Sequence, residues 1–248
     1  MCYNIDSNNH TFICSLPACS FHLAFLSLQY SGQTEGNRAR ILQGSSDIPL
    51  NEVGREQAQK ASQVLKDVPF TAVFSSDLCR ALETAQILLK GHTTCQIPII
   101  QWPCVRERCF GVMEGKPIQE YYEASALANE KHFNYVPENG ESHKEVEVRA
   151  HRFMEQLCET DVMSESSGGH GTTQPVILVT THGGFLKGLM TVLVEKMGCD
   201  LSESSNQAYS SICQNTGITR VTFSLDANKK PVNMKCTKLY DAAHLNDG

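Results

Sequence analysis

Residues 176–184 read VILVTTHGG, a continuous apolar run that ends in a histidine and two glycines. A strand in the middle of a parallel sheet is covered on both faces, so this run predicts a central, fully buried strand. A helix is predicted after it, from Phe185 to Met197. Ligands of open α/β sheets bind beyond the carboxyl ends of the strands, and His182 stands at such an end. A structural histidine that caps the turn is the alternative.

The same alternation of strands and helices continues on both sides of this stretch. Apolar runs predict further strands at 21–28, 70–74 and 97–105, and the tail 210–240 predicts strands at an edge of the sheet. Helical periodicity is found at 51–66, 78–89, 118–131 and 144–160. The pattern predicts one α/β domain over residues 21–248, a three-layer α/β/α sandwich with a mostly parallel central sheet. Residues 1–20 are expected to be poorly ordered, and the Ser/Gly-rich segment 164–173 is expected to be a surface loop.

Composition excludes several classes of function. The chain has 248 residues, a net charge of −6 and eleven cysteines without a CxxC pair. Acidity argues against nucleic-acid binding, and the cysteine pattern indicates neither a zinc site nor a disulfide framework. We therefore expect no zinc site and a reducing, cytoplasmic location. No cofactor is expected either. The apolar segment 11–28 has no Lys or Arg before it and is interrupted by Pro17, so neither a signal peptide nor a membrane span is predicted.

A loop rich in glycine, hydroxyl and amide groups follows the first predicted strand. The backbone N–H groups of Gly32, Gly36 and Gly44, together with the side-chain amides of Asn37 and Gln43, are donors that an anion such as phosphate needs. Most loops of this composition are only turns. The composition therefore leaves both interpretations open.

Two charged positions follow the next predicted strands. Arg80 falls in a first helical turn, where cations are unfavourable, which suggests an anion nearby; a surface arginine paired with Glu83 or Asp77 is the alternative. Glu107 lies between two arginines and is either part of a solvated charge cluster or a carboxyl group close to bound phosphate. Because the loop, Arg80, Glu107 and His182 each follow a strand, one rim of the sheet can hold all four as a phosphate pocket with a proton donor.

Five motifs in order resemble the histidine phosphatase, or phosphoglycerate mutase-like, superfamily. They are Gly32-Gln33-Thr34-Glu35-Gly36-Asn37, Ser75-Ser76-Asp77-Leu78-Cys79-Arg80, Arg106-Glu107-Arg108-Cys109-Phe110-Gly111, Gly140-Glu141-Ser142 and Thr181-His182-Gly183. The resemblance implies a phosphoglycerate mutase-like sheet, no metal, and hydrolysis of a small sugar bisphosphate through a phosphohistidine. It implies that Glu107 protonates the leaving alkoxide and that His182 donates to the phosphoryl oxygens. The implied phosphate-binding residues are Asn37, Gln43, Gly44, Arg80 and Gly183.

The chain departs from that family at the first motif. The family begins it with Arg-His-Gly, in which the histidine is the nucleophile and the arginine binds the phosphoryl group, whereas Tyr30 and Ser31 occupy those positions here. A serine hydroxyl without a neighbouring base does not replace an imidazole. Two hypotheses follow: an enzyme of the phosphohistidine type that acts on a small sugar bisphosphate, whose activity the missing nucleophile calls into question, or a non-catalytic phosphoester-binding protein of the same fold. The abrupt change at Ser31 also suggests that residues 1–31 derive from an alternative or misassigned first exon.

Overall fold

The computed structural model describes residues 23–92, 97–163, 174–201, 208–211 and 213–246. The predicted poorly ordered segment, residues 1–20, and the predicted surface loop, residues 164–173, lie outside these ranges. Within the ranges no helix is long and apolar enough to cross a membrane.

One six-stranded sheet organises the chain. Its strands are β1 (Ala24–Tyr30), β2 (Ala72–Ser75), β3 (Ile99–Gln101), β4 (Val176–Thr181), β5 (Ile218–Leu225) and β6 (Pro231–Asp241). Their order is β3-β2-β4-β1-β5-β6, with β1 to β4 parallel to one another and β5 and β6 antiparallel at one edge. The helices are α1 (Glu35–Arg38), α2 (Glu52–Leu65), α3 (Cys79–Lys90), α4 (Ile118–Leu127), α5 (His143–Glu159) and α6 (Gly183–Thr191).

The helices cover both faces of the sheet. Successive side chains of the central strand point to opposite faces, so its apolar residues pack against helices on both sides. Ile177 and Val179 of β4 pack with α5 and α6, whereas Leu178 packs with α2 and α3. All three side chains are fully buried. The predicted three-layer sandwich around a mostly parallel sheet is confirmed.

Several predicted boundaries move. β1 continues to Tyr30, so Ser31 is the first residue beyond the strand. The strand predicted at 97–105 is limited to β3 and is followed by a 3-10 turn, Pro103–Val105. The helix predicted at 118–131 ends at Leu127 because Asn129 adopts a left-handed conformation, with φ 55°. α6 begins two residues earlier than predicted and passes into a π-helical turn, Val192–Lys196.

The loop after β1 lies directly against the first turn of α2. A Cβ atom added to Gly54 would stand 2.1 Å from the backbone oxygen of Gln33. Neither backbone can move away without shifting the strand or the helix, so we expect Gly54→Ala to lower the free energy of unfolding by about 3 kcal/mol, measured by urea denaturation.

Gly91→Ala is the matched control for Gly54→Ala. Gly91 has an ordinary φ of −85°, and an added Cβ atom would meet only the Ser62 hydroxyl, at 2.7 Å, which can rotate away. We expect that variant to change stability little. Equal losses in the two variants would show that the contact between Gln33 and α2 is not tight.

Candidate active site

A cavity of about 330 Å³ opens at the carboxyl ends of β1 and β4. It is the size of a site for a small molecule. Its wall brings together Ser31 and the residues that the family resemblance implies as catalytic or phosphate-binding: Asn37, Gln43, Gly44, Arg80, Glu107, His182 and Gly183. Gly32 and Gly36, by contrast, do not border it. Tyr30 also contributes to the wall. Four separate strand-to-helix connections thus meet in one cleft.

His182 lies at the base of the cavity with only 1% of its surface exposed. Among the described residues neither of its ring nitrogens has a hydrogen-bond partner. Burial, and then the positive charge of Arg80, hold the pKa of His182 well below its usual value, so the imidazole is neutral. Although His182 precedes α6, its side chain makes no capping hydrogen bond. The alternative of a histidine that caps the turn is therefore wrong.

Arg80 is buried beneath the loop that follows α1. Its Nη1 donates to the carbonyl oxygen of Ser46 at 2.7 Å, and Nη2 donates to that of Gly44 at 2.8 Å. Burial lowers the pKa of Arg80, and the negative charge of Glu107 opposes this effect. The guanidinium group thus holds the loop in place with two of its five N–H groups and borders the cavity.

The surface-pair alternative for Arg80 is wrong. Glu83 binds Arg55 instead, with 2.6 Å between Nε and Oε1. Asp77 binds Arg106, whose Nε donates to Oδ1 at 2.7 Å. Both carboxylates therefore have partners on the outside of the protein.

Glu107 is turned inward, towards the first turn of α6. Its carboxylate accepts hydrogen bonds from the backbone N–H groups of Gly184 and Phe185, each at 3.1 Å. A Cβ atom at Gly184 would stand 2.3 Å from Glu107 Oε1, so a glycine is needed there for this approach. The solvated-cluster alternative is wrong, because the positive end of the helix holds the carboxylate at the cavity wall.

The loop 32–44 does not offer all of the hydrogen-bond donors that the sequence predicted for an anion. The N–H group of Gly32 is not available, because it donates to Thr84 Oγ1 at 3.1 Å. Thr34 Oγ1 lies 3.0 Å from Asn37 Oδ1 and 2.8 Å from Gln43 Oε1. Since these amide oxygens face Thr34, the amide NH₂ groups of Asn37 and Gln43 face away from it, and the NH₂ group of Asn37 also hydrogen-bonds the Tyr30 phenol.

Ser31 is buried and held by its backbone. Its N–H group donates to the carbonyl oxygen of Thr181 at 3.0 Å, and its own carbonyl accepts from Asn215 Nδ2 at 3.0 Å. Beside it, burial and then the charge of Glu107 raise the pKa of Tyr30, so its phenol stays protonated. Neither side chain is a basic group or carries a positive charge.

Arg149 is a residue that sequence reasoning missed. It forms a two-pronged pair with the carboxylate of Glu141, with distances of 3.0 and 2.8 Å, and donates to the carbonyl oxygens of Cys104 and Arg106. It therefore fixes the chain that carries Glu107. The signal was present: Arg149 interrupts the apolar stripe of α5, where a charged residue needs a buried partner.

The outer part of the cavity is walled by aromatic rings. This aromatic wall consists of Phe110, Tyr121, Tyr122, His132, Phe133 and His143. Phe133 stacks on His143, with 3.9 Å between ring centroids. Nε2 of His143 lies 3.0 Å from Nη1 of Arg108, so it accepts a hydrogen bond. None of these six residues was singled out as a site residue from the sequence.

His143 makes the stability of this wall depend on pH. Burial, and then Arg108 and Lys187, lower its pKa from 6.5 to about 3. Below pH 6.5 His143 binds a proton in the unfolded chain but stays neutral in the folded chain. The free energy of unfolding therefore falls as the pH decreases. When the pH is lowered from 7.5 to 5.5, we expect the free energy of unfolding to fall less in His143→Gln than in the parent. The difference between the two losses should be under ~1 kcal/mol, because the ring is partly open to solvent. Urea titrations at both pH values test this, and equal losses would contradict it.

The geometry agrees with comparison to known proteins. Residues 31–230 match the histidine phosphatase superfamily (branch 1), and the chain belongs to that family. Within the described residues no group of three His, Cys, Asp or Glu side chains is placed to hold a metal ion.

The chain is similar to several individual members of known function or structure. Fructose-2,6-bisphosphatase TIGAR B of Danio rerio is 34% identical in an alignment 224 residues long that covers 81% of this chain and 86% of the relative. A phosphoglycerate mutase from Bacillus anthracis shares the fold, with a TM-score of 0.72 and 21% identity over 91% of this chain and 96% of that one. A histidine-to-alanine mutant of phosphoserine phosphatase from Entamoeba histolytica, in complex with phosphoserine, has a TM-score of 0.64 and 25% identity over 90% and 99% of the two chains.

Proposed function

We propose that the cavity binds the phosphoryl group of a small phosphorylated metabolite and that the chain, with Tyr30 and Ser31 in its first motif, does not hydrolyse it. The observation that carries the proposal is His182, a buried imidazole without a partner in the described structure, beside the buried guanidinium of Arg80. Buried polar groups are normally hydrogen-bonded, so an unpaired one in a cleft indicates a ligand.

The binding roles follow from the donors that the inner cavity offers. Arg80 supplies charge and N–H groups, the amides of Asn37 and Gln43 add neutral donors, and the neutral ring of His182 donates one N–H. Gly44 and Gly183 border the same space.

Hydrolysis requires a nucleophile in addition, and the inner cavity lacks a suitable one at the family's position. Ser31 has a hydroxyl of high pKa, and a protonated phenol stands beside it where the family has an arginine. The Entamoeba relative, with one histidine replaced by alanine, is seen in complex with phosphoserine. In that protein, therefore, ligand binding does not require every histidine.

A hydrolase acting on sugar bisphosphates is the second candidate, favoured by the likeness to the Danio fructose-2,6-bisphosphatase. In this function Glu107, held at the cavity wall, protonates the leaving alkoxide, and the protein would act in the regulation of glycolysis. A cytoplasmic location, a single domain over residues 21–248 and the first-exon origin of residues 1–31 stay predictions.

Two measurements on the purified chain separate the candidates. Calorimetry with inorganic phosphate and orthovanadate is expected to show binding, whereas phosphate release from fructose 2,6-bisphosphate is expected to stay at background. Turnover at enzymatic rates would favour the second candidate. No binding of either anion would refute both.

A further inference from the structure

The aromatic wall is more exposed than a structural cluster needs to be. Phe133 is 42% exposed and Tyr122 is 38% exposed, although both border the cavity. Tyr122 contacts His132 edge to face, with 5.4 Å between centroids, and Lys187 Nζ lies 4.8 Å from the centre of the Phe133 ring. Apolar surface left open inside a cleft indicates the part of a ligand that it covers.

The positive charges of the cavity are poorly matched to two phosphate groups. Arg108 uses four of its five N–H groups on the protein, at Glu141 O, Tyr121 Oη, His143 Nε2 and Tyr135 O. Arg80 uses two on backbone carbonyls. Lys187 also borders the cavity, so three cations and one carboxylate, that of Glu107, line the wall. A sugar bisphosphate carries about four negative charges at neutral pH and no apolar body. One phosphoryl group is better matched.

His143 contributes to the wall as a ring and not as a cation. Its neutral imidazole accepts from Arg108 and stacks on Phe133, so it offers the outer cavity aromatic surface. Arg108 contacts both His143 and Tyr121, and it follows Glu107 directly in the chain. Arg108 therefore links the phosphate end of the cavity to the aromatic wall.

We propose that the preferred ligand of this cavity is an aryl phosphomonoester: one phosphoryl group at Arg80 and His182, and a planar ring against Tyr122 and Phe133. The inference rests on the proposed phosphate binding and specifies the organic part of the ligand. Ring-to-ring contacts with offset or edge-to-face geometry add to the burial of apolar area, and both favour a flat aromatic group over a hydroxylated sugar.

The test compares probes by calorimetry on the full chain. We expect 1-naphthyl phosphate to bind at least tenfold more tightly than glycerol 3-phosphate or fructose 2,6-bisphosphate. We expect 1-naphthol, which has no phosphate, to show no measurable binding. Tyr122→Ser and Phe133→Ser should each reduce the advantage of 1-naphthyl phosphate over glycerol 3-phosphate severalfold.

Leu127→Ser is the control, because Leu127 is 89% exposed on α4 and does not border the cavity. Equal affinities for the three phosphoesters, or an advantage that survives both wall variants, would overturn the aryl preference and leave phosphate binding intact. Tighter binding of fructose 2,6-bisphosphate would overturn it in favour of a sugar bisphosphate. Failure of all three phosphoesters to bind would overturn the aryl preference and the proposed function together.

Discussion

The double variant Tyr30→Arg with Ser31→His is expected to hydrolyse a phosphoester on the order of 10⁶ times faster than the parent chain. Ser31 lies directly after β1, and its backbone is held by hydrogen bonds to Thr181 and Asn215. An imidazole at that position would enter a cavity that already contains Arg80, Glu107 and His182. Nucleophilic attack is the role that the parent lacks, and the new arginine restores phosphoryl charge stabilisation.

The measurement is phosphate release, together with trapping of an acid-labile, 32P-labelled phosphohistidine. Tyr30→Arg with Ser31→Gln is the matched control, because it adds the same charge and a side chain of similar size without a nucleophilic nitrogen. We expect no labelled intermediate in this control or in the parent. A parent that turns over as fast as the repaired chain would show that Ser31 does not occupy the nucleophile position.

The second large effect is expected from Arg80→Ala, which should weaken binding of phosphate and vanadate by about 10²-fold. Charge-assisted hydrogen bonds from a guanidinium group to an oxyanion are worth about 1.5–3 kcal/mol each, and Arg80 has N–H groups left after it binds Gly44 and Ser46. The variant also removes support from the loop that carries Gly44. Binding is measured by calorimetry and folding by urea denaturation.

Arg55→Ala is the control, since it removes an exposed arginine paired with Glu83 and changes the net charge equally. We expect its affinity for phosphate to be unchanged within twofold. Arg80→Lys keeps the charge but not the planar fork, so an intermediate affinity is expected. An unchanged affinity in Arg80→Ala would restrict Arg80 to a structural role.

Local patterns were sufficient to predict much of the fold. The helix predicted from residue 51 begins there, because the Asn51 side chain caps α2 by accepting from the N–H group of Gly54 at 2.8 Å. The apolar run of β4 is buried as predicted, and α5 begins and ends within one residue of its predicted bounds. Such features depend on residues only a few positions apart, which periodicity and capping rules describe well.

The candidate site was predicted less completely, because its contacts join distant parts of the chain. At the N-terminus of α3, Asp47 Oδ1 accepts from the N–H group of Cys79 at 2.7 Å, although the two residues are 32 positions apart. Glu107 and Gly184 meet across a separation of 77 residues. No local pattern records such a contact.

The sequence alone determined which strands and helices form, that helices alternate with strands around a parallel sheet, and that Tyr30 and Ser31 replace the first two residues of a family motif. These depend on side-chain type and spacing. Only the tertiary structure decided that Arg80 supports a loop and borders a cavity, that Glu107 binds the start of α6, and that His182 is buried without a partner in the described residues. Burial and charge environment are set by what the packed layers bring together, and they decide the protonation and the free donors of each group.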